Sequence, residues 1–380
     1  NASLGKKKKQ IKLGYILPEW IEEQNEDVNP AYTNIVLPFI SNMTEIEKKR
    51  LKDVKPNLLL FLNKLLKLEI SNEVENSSVI IEKEVTGNHI LLKETQQQNG
   101  IIKKIKNKYF IFERNDIKVP SAIEVKERIN IKKTRIVFAF PLDSKNNLKA
   151  DEEQDIYAFL PIGEGGFRFL IQADFILTSG REGINEDNDW NTWVRDEVFN
   201  TFKLVIAEFK KHPRHKFSFL EFIPKESETF NDFFEPLANE IIAYCRDANI
   251  VLSASGKWCK PSEVVTVLAI EKDLFDNALV KSATGKEYVN PLCILSNGII
   301  ETLGILQFSL EDVYSCLQEF SIIRKKDDPW FVELLIYLSE NIDSVEIAER
   351  LKEIQIIPIQ RRNERIQNLV STNDKPVFLP

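Results

Sequence analysis

Histidine and cysteine are scarce in this chain, with three and four among 380 residues. Cys245, Cys259, Cys293 and Cys316 are scattered and form no Cys-x-x-Cys pair. That spacing offers neither a zinc knuckle nor a disulfide framework, and it reads as reduced thiols in a cytoplasmic protein. His212 and His215 share the segment Lys211-His-Pro-Arg-His-Lys216, where Pro213 predicts a solvated loop. No metal site is expected. Long apolar runs are also missing. The longest, Leu58 to Leu62, is interrupted by Asn63 and Lys64, far short of the ~20 residues of a bilayer span. No signal-peptide pattern is present, so no membrane partner is expected. There is no basic excess: 51 Lys plus Arg stand against 58 Asp plus Glu, a net charge of -7. Such a balance gives no general attraction to nucleic acid, and a nucleic-acid partner is not expected. The single basic run, Lys6 to Lys9, reads as a solvated tail. No Ser-His-Asp order, nucleophile elbow or metal cluster marks a stand-alone hydrolase. Gly163-Glu-Gly-Gly166 carries an acid and is followed by no Lys-Ser/Thr, so it reads as a flexible hairpin turn rather than a phosphate cradle. The chain starts Asn1-Ala2 and stops on Val377-Phe-Leu-Pro380. Both ends read as cuts from a larger protein.

What is present is an ordinary globular balance, 43% hydrophobic and 29% charged. Strand-like pieces at 11–17 and 34–38 are followed by a capped helix from Thr44 to about Val54. Pro56 opens a second helix carrying Leu58 to Leu66. Residues 79–81, 90–92, 109–112 and 136–140 are short β-branched and aromatic runs. With turn signals at Asn99-Gly100 and Asn107-Lys108, they predict antiparallel hairpins. Strands at 156–161 and 167–177 come next. Asn191 caps a predicted helix over 192–211, with apolar residues at helical spacing from Trp193 to Phe209 and Trp190 as a staple. A second α/β unit follows: helices at 231–246, 310–323, 329–341 and 344–353, and strands at 250–252 and 356–359. The expected class is α/β (α+β), a mixed sheet in two subdomains, 71–215 and 216–380. Residues 1–70 are expected to be the edge of another domain.

The most informative stretch is Ala173 to Glu182, a buried strand running into a polar turn with one arginine. The Arg181 guanidinium has five donors and a permanent charge, which suit a phosphate. The plainer reading pairs Arg181 with Glu182 or another nearby acid.

The segments Leu13 to Trp20, Thr33 to Pro38, Leu51 to Leu62, Tyr157 to Pro161, Phe169 to Phe175, Ser179 to Glu182 and Trp190-Asn-x-Trp-x-Arg-Asp196 resemble sacsin-like proteins. These are relatives of the ninety-kilodalton heat-shock chaperone, in the superfamily that includes gyrase, histidine kinases and MutL. The likeness is strongest over residues 11–215 and covers the tail of the ATP-binding module and the transducer-like middle domain after it. It implies that Arg181 reaches the γ-phosphate of ATP held with magnesium by a preceding domain. It also implies that Ser179 and Gly180 border that nucleotide, and that Asn185, where relatives carry glutamine, aids the arginine. The implied partners are that preceding domain and a client protein. The chain itself lacks the Asp-x-Gly-x-Gly motif and the water-activating glutamate, so neither ATP nor magnesium is expected to bind it alone. Two other functions fit the same residues: a non-catalytic interaction module, and the transducer of a DNA-acting ATPase.

Overall fold

The computed structural model describes residues 55–72, 75–123, 125–180, 183–342, 345–359 and 368–371, all within one compact unit, 55–380. The expected strands at 11–17 and 34–38 and the helix at 44–54 lie outside the described residues.

An eight-stranded mixed sheet organises the first half. Its strands are β1 (Lys67–Asn72), β2 (Ser77–Thr86), β3 (His89–Gln98), β4 (Ile101–Lys118), β5 (Lys133–Leu142), β6 (Asp155–Ala158), β7 (Leu160–Glu164) and β8 (Leu170–Gln172), in the spatial order β1-β2-β3-β4-β5-β8-β6-β7. Neighbours pair antiparallel except β6 and β8, which run parallel. The α+β class is as expected. Asn99 and Gly100 both take positive φ, 49° and 84°, the geometry of a two-residue primed turn that matches strand twist. Asn107-Lys108 is no turn; it lies inside the 18-residue strand β4, opposite Leu92 and Leu91. The β6–β7 hairpin turns at Phe159, φ 65°, and not at Gly163 to Gly166.

Alternation along β5 shows how the sheet divides the core. Ile136, Phe138 and Phe140 point to one face and Val137 and Ala139 to the other, and all five are buried. A run apolar at every position therefore marks a strand covered on both sides. One face carries Phe138, Phe140 and Phe169, packed against α2 (Asp189–Lys211) through Phe202 and Phe209. The other is covered by α1 (Leu58–Phe61), whose Leu59, Leu60 and Phe61 meet Ile81, Leu92 and Tyr157. The expected helix through Leu66 is this single turn; Leu62 is already extended, and Leu65 and Leu66 are exposed.

The same aromatic core continues past residue 215 through Phe219, Phe222 and Phe234 and takes in α3 (Glu235–Asp247). Short pairs β9 (Val251–Leu252) and β10 (Trp258–Cys259) follow, then a three-stranded parallel sheet of β11 (Val264–Thr266), β12 (Glu287–Tyr288) and β13 (Leu306–Gln307). Val264 is buried in the first core and Val265 in a second, which gathers Phe275, Tyr288 of β12, and Val313, Phe331 and Leu334 from the C-terminal helices. The helix expected over 310–323 is two, Leu310–Gln318 and Phe320–Ile323, broken at Glu319. No helix among the described residues is long and apolar enough to cross a membrane.

Candidate functional site

Beyond β8 the chain stays buried through Ala173, Phe175 and Ile176 and then enters a narrow hairpin. Leu177 bridges Ile184 in antiparallel fashion, the Thr178 N–H donates to the Gly183 carbonyl at 2.9 Å, and the Asn185 N–H donates to the Ile176 carbonyl at 3.0 Å. Ser179 and Gly180 sit exposed in the turn at its tip. Arg181 and Glu182 lie outside the described residues, so the side chain on which the phosphate reading centres is known here only from the sequence.

The stem is held from below by the first turn of α2. Asn191 has no exposed surface. Its Oδ1 accepts from the Ile176 N–H at 2.7 Å, and its Nδ2 donates to the carbonyls of Ile176 at 2.7 Å and Asn185 at 2.8 Å. Asn191 was expected to be the helix cap. The cap is Asn188, whose side chain accepts from the Trp190 N–H at 3.0 Å, so the helix starts three residues earlier and brings Asn191 inward. Asn185 is half-buried. Its backbone is engaged on both sides, and its side-chain amide has no hydrogen-bond partner among the described residues.

A second brace lies one residue upstream of Phe175. Trp190, fully buried, donates its indole N–H to the Asp174 carbonyl at 2.7 Å. The Asp174 carboxylate takes a two-pronged contact from Arg128, at 3.0 Å to Nε and 2.8 Å to Nη2. The guanidinium carbon stands 5.6 Å from the Trp190 ring centre. Burial pushes the Asp174 carboxyl above the ordinary carboxylate range, against the opposing pull of Arg128. The signal for these residues was visible but ambiguous: asparagine is a poor helix former, and Asn191 sits on the apolar face of an otherwise regular helix.

No family model matches the chain, and no solved structure matches it. Among curated proteins, Protein NO VEIN of Arabidopsis thaliana is similar, 26% identical over 307 residues. The similarity covers 76% of this chain but 11% of that protein. The chain therefore spans about a tenth of the length of the curated relative it matches.

The remaining polar features near the hairpin fit no phosphate cradle. A cavity of about 160 Å³ beside the stem, bordered by Glu164, Gly183, Glu186 and Asn231, is lined by two carboxylates and has room for a few waters. The glycine-rich loop is filled from within: a Cβ on Gly166 would lie 2.3 Å from the Phe230 ring, and one on Gly165 would lie 2.8 Å from Ile156. Those glycines serve close packing, not an open nest. Among the described residues no group of three or more His, Cys, Asp or Glu is arranged to hold a metal ion.

Proposed function

We propose that this chain is the middle segment of a chaperone-like ATPase of the gyrase, heat-shock chaperone, histidine kinase and MutL superfamily. In this reading the 177–184 hairpin carries Arg181 to the γ-phosphate of ATP bound by a preceding domain. The observation that supports it best is the three-bonded Asn191 under the hairpin stem. A group that must meet a developing charge from another domain is effective only if its support is rigid before contact. Here Ser179 and Gly180 are exposed and the stem is fixed. ATP with magnesium on the preceding domain would supply the phosphoryl group and the divalent charge. Arg181 would add fork-shaped charge stabilisation, Ser179 and Gly180 would line its approach, and Asn185 would orient the guanidinium. The stem leads directly into the 23-residue helix α2, a stiff element able to carry displacement of the tip into the aromatic core.

The test is made in the full-length protein. Arg181→Ala is expected to lower ATP turnover by about 10³-fold, the scale of an arginine finger, while nucleotide affinity stays within a few-fold, because the contact matters most in the transition state. Arg181→Lys is expected to restore turnover only partly, since a point charge lacks the fork. Turnover equal to the parent in Arg181→Ala would make the arginine structural and the chain a non-catalytic interaction module.

A further inference from the structure

At the other end of α2, about 16 residues and so roughly 20–25 Å along the helix from the hairpin, lies a feature that the ATPase reading does not use. Lys203, Ile206 and Lys210 fall at i, i+3 and i+7 on one face of α2. That face and the end of α3 form a cleft of about 340 Å³, with Ile206 and Ala248 as an apolar floor, Tyr244 and Trp258 as aromatic walls and Lys203, Lys210 and Lys211 as a rim. No Asp or Glu lines it, in a chain with more acids than bases. None of the three lysines makes an ion pair with a described residue. Lys203 stands 4.3 Å from the Phe199 ring centre and 6.0 Å from that of Tyr244. Lys210 stands 4.9 Å from the Trp258 ring centre and donates to the Asn249 carbonyl at 2.6 Å. Burial lowers its affinity for its proton, as expected where no counter-charge compensates. Cations at the last turn of a helix are favoured by its dipole, and that explains Lys210 and Lys211. It does not explain Lys203, two turns inside, or the absence of any carboxylate from the lining.

We propose that this cleft binds a planar aromatic anion, its ring on the apolar floor between Tyr244 and Trp258 and its carboxylate or phosphate facing the lysine rim. The volume suits a small organic ligand. An apolar body gains from the floor and walls, and the anionic head supplies the missing counter-charge.

Titration calorimetry of the 380-residue chain tests this with 2-naphthoate, adenosine monophosphate, neutral 2-naphthamide and inorganic phosphate. At least one of the first two is expected to bind saturably, at least tenfold more tightly than either naphthamide or inorganic phosphate. Which of the two binds better tells whether the site favours a carboxylate or a nucleoside phosphate. The double variant Lys203→Met with Lys211→Met, and separately Trp258→Leu, are expected to weaken binding at least tenfold, while Lys118→Met on β4 leaves it unchanged. The three lysines are surface or rim positions, Trp258 is half-buried against the core, and circular dichroism checks the fold of each variant. Absence of saturable binding by both anions overturns the proposal, as does equal binding of naphthamide or inorganic phosphate. It is likewise overturned if the double variant binds like the parent or if Lys118→Met weakens binding equally. None of these outcomes touches the role of Arg181, which is read from turnover of the full-length protein.

Discussion

Asn191 is the residue whose loss should be felt most locally. Removing its amide leaves the Ile176 N–H without a partner and takes donors from two carbonyls in a site without solvent. An unsatisfied buried group costs about 1–3 kcal/mol. Asn191→Ala is therefore expected to lower unfolding stability by roughly 2–4 kcal/mol in urea titrations, while the half-buried Asn200→Ala on the same helix stays within about 0.5 kcal/mol, the usual range of a surface change. His215 is the second case. It was expected in a solvated loop. It is 1% exposed, its ring is stacked 3.6 Å from His212 and edge-on to Phe110 and Phe209, and its Nδ1 has no hydrogen-bond partner. Burial, helped by the neighbouring His212, lowers its pKa from 6.5 to about 4. The folded protein keeps the ring neutral where the unfolded chain protonates it. Stability is thus full above about pH 6.5 and falls as pH drops toward 4, because the unfolded state then binds more protons. Urea midpoints of the parent are expected to fall between pH 7.5 and pH 5, and His215→Phe should flatten that part of the dependence. An unchanged slope would mean that other groups set it.

At the scale of elements, the glycine-rich loop between β7 and β8 is a packing joint. Gly166 has φ 90°, and a methyl group there would also lie 2.8 Å from the Thr229 carbonyl oxygen, besides striking Phe230. Gly87, in the β2–β3 turn, has φ 56° but open space around it. Left-handed strain alone costs about 1–2 kcal/mol, whereas strain plus a backbone collision costs more. Gly166→Ala should therefore lower the melting temperature clearly further than Gly87→Ala; equal shifts would show that the loop yields. Composition alone marks this element as a flexible turn, because a glycine-rich tetrapeptide is a turn signal. Only Phe230, arriving from sixty-odd residues downstream, turns it into a filled contact. Asn107-Lys108 forms no turn for a related reason: a turn dipeptide is a weak preference, and ten paired positions with β3 override it.

For the molecule as a whole, the two cores share β11, with adjacent residues facing each. Phe140, fully buried among Phe138, Phe169, Phe209 and Phe222, and Phe275, packed on Phe308, Trp330 and Tyr337, probe one core each. Deleting such a ring costs about 3–5 kcal/mol. Calorimetry is expected to find a single transition lowered by either Phe140→Ala or Phe275→Ala. Two transitions, each moved by only one of the variants, would mean that the cores unfold independently.

The local pattern was legible in the order of the amino acids. Alternating and continuous apolar runs specify β2 to β5, Asn99-Gly100 specifies its hairpin, and the 3.6-residue spacing from Val194 to Phe209 specifies the long helix, since each depends on neighbours only a few positions away. It also made the exposed Ser179-Gly180 turn legible. Properties that need distant partners emerged only when the chain folded. These are the burial of His215 under Phe110, the closing of Gly166 by Phe230, the inward amide of Asn191, and the meeting of Lys203 and Lys210 with Tyr244 of α3 and Trp258 of β10. A side chain's chemistry is fixed by its identity, but its solvation and its counter-charges are fixed by what folds against it, and those neighbours are far away in the chain.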